Sequence, residues 1–183
     1  MKSAHAHRKS RSTRTAFSLV ELVMVVTIIG MISAIAVPRV AAAAQFAAAN
    51  SLRMTMTNVR KAIDSYYAEH SAYPGADPST KSPDGVDFVD QLLRYSDESG
   101  KTQDTYGYPY IYGPYLRAPF PTNPINKLNT VHVKSAPSDP DPAAGSVGWI
   151  AVLSHGYFMI DASDVQLADI GVEIKYRTKL RVE

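Results

Sequence analysis

The chain has 183 residues, enough for one ordinary domain beside a membrane segment and too few for two comfortable ones. Its net charge is +2, but the first sixteen residues carry Lys2, Arg8, Lys9, Arg11 and Arg14 without an acid, so the remainder is mildly acidic. A nucleic-acid partner is therefore not expected, because phosphate neutralisation supplies most of the affinity of such binders, and the absence of cysteine excludes disulfides, thiolate metal sites and cysteine nucleophiles.

Residues 17–37 read FSLVELVMVVTIIGMISAIAV, a run whose only charge is Glu21. A bilayer core is spanned by about 20 apolar residues in helical form, so this run can cross. The basic leader places its N-terminal end in the cytoplasm by the positive-inside rule, and everything after Val37 on the far side. A secretory signal peptide would share the basic start, but its apolar stretch is shorter, about 7 to 15 residues, and is followed by a small-residue cleavage site. AVPRVAAAAQ contains such triplets, for example Ala41 to Ala43, so spacing alone leaves that alternative open. Glu21 weighs against it. A charge inside an apolar run costs about 1 to 3 kcal/mol on insertion, depending on depth, and a disposable signal has no use for one.

The basic leader, the small Ala16, then Phe17-Ser18-Leu19-Val20-Glu21 and an uncharged run ending at Pro38 resemble the class III signal of type IV pilins and type II secretion pseudopilins. The resemblance implies cleavage by a prepilin peptidase between Ala16 and Phe17, on the cytoplasmic side, so that the apolar run stays on the mature chain. It further implies N-methylation of Phe17 and an assembly role for Glu21, whose carboxylate would pair with the terminal amine of a neighbouring subunit. A carboxylate and an ammonium are each costly in lipid, and pairing relieves both. This chain departs from the family in having Ala16 where Gly is usual.

Beyond Pro38 no Gly or Pro interrupts the chain until Pro74, and helix formers dominate. Leu52, Met56, Val59, Ile63 and either Tyr66 or Tyr67 fall on one helical stripe. The expectation is one helix from Phe17 to His70, on the order of 80 Å long at 1.5 Å per residue. Its first part, 17–37, is the membrane or filament-core segment, and 38–70 is an amphipathic continuation. Pro38 lacks the N–H that would bond the Ala34 carbonyl, and Gly30 lowers helix stability further in, so both are candidate kink positions. In the family this segment bends or partly unwinds on assembly.

Residues 71–183 read as an exported globular domain. SAYPG ends the helix, a short helix is expected near Asp87 to Tyr95, and residues 107–124 are dense in Gly, Pro and Tyr. GPYLRAPFPTNP, Tyr73-Pro74 and Gly148-Trp149 resemble features of proteins related to the secretion major pseudopilin. GWIAVLS and YFMIDA flank a His155-Gly156 turn and predict a hairpin, and residues 135–145 a polar loop before it. GVEIKYRTKLRVE alternates from Val172 to Val182 on one face and from Glu173 to Glu183 on the other, the pattern of a half-buried strand with a charged outer face. The expected class is α+β: a long N-terminal helix packed on a small antiparallel sheet domain.

No phosphate-binding glycine loop, G-x-S-x-G, H-E-x-x-H or EF-hand pattern is present, and adjacent Ser154 and His155 are poorly placed as nucleophile and base. No enzyme activity and no cofactor are expected. Because the related major pseudopilins bind calcium in a C-terminal loop, Asp139, Asp141, Asp161 and Asp164 are the candidate oxygen ligands, but their spacing matches no motif and no metal ligand is assigned. The expected function is that of a secretion pseudopilus subunit in a helical fibre. The alternative is a type IV pilus subunit, main or minor. The partners that the resemblance implies are other copies, other pseudopilins or pilins, the prepilin peptidase and an inner-membrane assembly platform. The expected location is the inner membrane, in a single pass, and then a periplasmic or extracellular filament.

Overall fold

The computed structural model describes residues 18–170, so the cleavage and methylation positions Ala16 and Phe17, and the alternating segment from Gly171 onward, lie outside the described residues. The chain divides into two compact units, Met1–Ala42 and Ala43–Glu183.

The described part of the first unit, 18–42, is helical from Leu19 onward. Helix α1, Leu19–His70, begins in it and continues through Gly30 and Pro38. From Ser18 to Ala47 the side chains are exposed, apart from half-buried Ala36. This is one helix long and apolar enough to cross a membrane, which matches the length that a bilayer requires. Thr27, a polar residue within the run, donates its hydroxyl to the Val23 carbonyl at 2.7 Å and so leaves no unpaired donor on this apolar surface.

In the second unit α1 becomes amphipathic. Ala49, Leu52, Met56, Val59, Ala62, Ile63 and Tyr66 are buried, and the open choice at the end of the stripe falls on Tyr66, since Tyr67 is exposed. Helix α2, Gly85–Leu93, follows the loop after Pro74 and is capped by Asp84, whose carboxylate accepts from the Val86 and Asp87 amides. It buries Phe88, Gln91 and Leu92. It ends before Tyr95, which opens β1, Tyr95–Ser96, paired antiparallel with β2, Thr102–Gln103.

The main sheet has three strands in the order β3 (Val131–Lys134), β4 (Trp149–Val152), β5 (Tyr157–Ile160). The expected hairpin is present: β4 and β5 are antiparallel with Trp149 opposite Ile160 and Val152 opposite Tyr157. The sheet as a whole is mixed rather than purely antiparallel, because β3 runs parallel to β4 with Val131 opposite Trp149. The physical reason is the connection. The polar loop between Lys134 and Trp149 is long enough to carry the chain back to the starting end of the sheet, which a tight turn cannot do.

One face of this sheet meets α1 and α2. Val131, Val133, Trp149, Ala151, Phe158 and Ile160 join the α1 stripe, Phe88, Leu92 and Phe120 in one core. Trp149 stacks on Phe158 with ring centroids 5.1 Å apart, and Phe120 meets Phe88 and Phe158 edge-on. On the other face Ile150, Val152 and Met159 form a smaller cluster with Val147 and Tyr157. All four residues of β4 are buried, as expected for a central strand covered on both sides. A final helix, α3, Asp164–Asp169, is closed by a capping box between Ser163 and Gln166. It was not anticipated.

Candidate functional site

Glu21 stands in the first turn of α1, and its Oε2 accepts the Ser18 amide at 3.0 Å. That is the returning half of a capping arrangement, in which an acid three residues along satisfies the amide at the helix start. The carboxylate also lies at the positive end of the helix dipole. Around it every large apolar side chain from Leu19 to Val40 is exposed, Leu19 to 77%. Gly30 has open space around a would-be Cβ, so neither its packing nor its backbone demands glycine within one copy.

The loop of residues 107–124 is fixed to the domain by specific bonds. The Tyr115 and Leu116 amides both donate to the Leu92 carbonyl, and the Trp149 indole donates to the Pro121 carbonyl at 2.9 Å. Asn123, wholly buried, donates to the Gly148 and Asp161 carbonyls and accepts from the Ile125 amide. Gln91 plays the same part at the other end: it accepts from the Gly75 amide and donates to the Ala76 and Gly100 carbonyls. Neither residue stood out in the sequence, though a glutamine on the stripe between Phe88 and Leu92 was a usable signal.

His70 closes α1 in a polar, aromatic setting. Its Nε2 lies 3.1 Å from the Ser96 hydroxyl and 3.3 Å from that of Tyr115, its ring stacks on Tyr66 at 4.1 Å, and Tyr112 meets it edge-on. The Tyr115 hydroxyl also donates to the Glu69 carboxylate. Burial pushes the His70 pKa below the usual imidazole value, opposed by the Glu98 backbone and the Glu69 and Asp97 carboxylates. Burial, and for Tyr115 the Glu69 carboxylate next, pushes the Tyr66 and Tyr115 hydroxyls up.

The four aspartates named as oxygen candidates are spread over separate tasks. Asp139 accepts the Ala136 amide, and Asp141 pairs with the buried Lys134 ammonium at 2.8 Å. Asp161 is buried and accepts the Val147 amide, whereas Asp164 stands in the first turn of α3. Among the described residues no group of three or more His, Cys, Asp or Glu side chains is placed to hold a metal ion. In the β4–β5 turn, Ser154 Oγ and His155 Nδ1 lie 2.6 Å apart, closer than adjacency led one to expect. The pair is exposed, and the imidazole stacks on Tyr157.

Comparison with known proteins gives no family assignment: no family model, curated protein or solved structure matches the chain.

Proposed function

We propose that this chain is a structural subunit of a helical fibre, specifically a pseudopilin of a type II secretion system. It is held by α1 in the cell membrane until it is drawn into the fibre. The observation that carries the reading is the division of α1: an apolar half with exposed side chains and one acid, Glu21, then an amphipathic half that builds a domain core. Such an apolar surface requires cover, from lipid before assembly and from the same surface of other copies after it. The leader would be removed between Ala16 and Phe17 by a prepilin peptidase and Phe17 methylated. The new terminal amine would then meet Glu21 of a neighbour. The absence of cysteine favours a secretion pseudopilin over the many pilins that close a C-terminal disulfide.

Glu21 has two roles that substitution separates. Glu21→Gln keeps an oxygen to accept the Ser18 amide but carries no charge, whereas Glu21→Ala loses both. The expected outcome is that both variants are processed normally and neither enters fibres, scored as the fraction of subunit recovered in sheared fibres. Undiminished incorporation of Glu21→Gln would contradict the assembly role.

A further inference from the structure

Lys61 on α1 and Arg117 in the loop after Leu116 line one groove of about 300 Å3, with Asn58, Ser65, Tyr115 and Leu116 as walls. Both cations are exposed. Arg94 pairs with Asp90 and Asp104, and Lys134 with Asp141, whereas among the described residues no carboxylate lies within ion-pair distance of Lys61 or Arg117. Glu69, next to the groove wall, accepts from Tyr115. The groove therefore offers two cations and a half-buried apolar floor at Leu116 to something anionic.

A matching surface exists on the same domain. At the start of α2, Val86 is 70% exposed and Asp87 stands beside it. Asp84 is spent on the cap, and Asp90 faces Arg94. The Asp87 carboxyl is pushed up by burial and then by Asp84, Asp77 and Asp90, so it sits among like charges that a cation would relieve. The tip and the groove share no residue, so a contact between them is heterologous: each copy uses one patch on the copy before it and the other on the copy after. Repeated, such a contact gives a ring or an open helical polymer.

We propose that the groove between α1 and Arg117 receives the Val86–Asp87 tip of α2 from a second copy of this chain, with Asp87 meeting Lys61 and Arg117 and Val86 covering Leu116. This rests on the reading of the chain as a fibre subunit and adds a charged contact between exported domains to the helix packing.

The chain contains no cysteine, so disulfide trapping is unambiguous. Val86→Cys and Ser65→Cys, placed beside the charges, leave Asp87, Lys61 and Arg117 intact. Full-length chains of each type, mixed in phospholipid vesicles and oxidised, should form an 86–65 linked dimer, and a chain carrying both cysteines should form a ladder. Adding Arg117→Glu to the Ser65→Cys chain should cut the yield roughly fivefold, about the worth of one partly exposed charge pair. Adding Asp87→Lys to the Val86→Cys partner should recover part of it, with Lys61 still opposing the new cation, and such recovery excludes misfolding as the cause of the loss. No 86–65 product, products linking only like positions, or indifference to Arg117→Glu would each overturn the proposal. Fibres visible by electron microscopy without the 86–65 link would overturn the contact and leave the fibre reading standing. The link formed in cells that contain a prepilin peptidase and an assembly platform, without fibres or processing at Ala16, would support the contact and overturn the fibre reading.

Discussion

Gln91 and Asn123 show how single polar residues hold an irregular domain together. Each is buried and makes three bonds to backbone groups, all to other segments for Gln91 and two of the three for Asn123, whose third is to the nearby Ile125 amide. Leucine is close in volume to glutamine but can make none of these bonds, so Gln91→Leu strands one amide and two carbonyls. A loss of about 3 kcal/mol is expected, at 1 to 3 kcal/mol for each buried group left unmade with partial rescue by water, read as the shift of the urea midpoint for the detergent-solubilised chain. His70 adds a pH dependence. Its pKa is lowered on folding, so the unfolded chain takes up a proton that the folded chain resists. The stability it contributes is complete above the unfolded value of about 6.5 and is lost as pH falls below it. The urea midpoint should decline from pH 7 to pH 5, and His70→Gln should flatten that decline.

At the scale of elements, α2 offers an internal contrast. Leu92 has no exposed surface and Val86 is mostly exposed. Leu92→Ala should cost about 2 to 5 kcal/mol through lost contacts and a residual cavity, whereas Val86→Ala should change folding by less than about 0.5 kcal/mol; thermal unfolding of the two variants checks both. The same contrast explains what could be read in advance. The α1 stripe, the end of α1 near SAYPG and the β4–β5 hairpin rest on local periodicity and turn residues, and they appear where the pattern put them. The parallel pairing of β3 was not legible, because VHVK alternates as an antiparallel strand would, and only the path of the polar loop after it sets its direction. Helix α3 had its signal in Ser163 and Gln166, but six residues give too little periodicity to recognise. The bonds of Gln91, His70 and Asn123 depend on where loops come to rest, which no local pattern encodes.

The whole chain combines an apolar helix half with exposed side chains and a domain that carries its own core. Residues 1–16 hold five of the chain's cations and no acid; on the proposed reading they would set the chain's direction across a membrane, with the domain beyond α1 outside the cytoplasm. The central claim is that the leader is cut before the apolar run and the run is kept, which neither a secretory signal nor a plain anchor does. The most direct measurement is the intact mass of the chain extracted from membranes of cells that contain a prepilin peptidase. A chain beginning at Phe17 with one added methyl group is the predicted result. A chain that still begins at Met1, or one that has lost the apolar run by cleavage near Ala41 to Ala43, would contradict it.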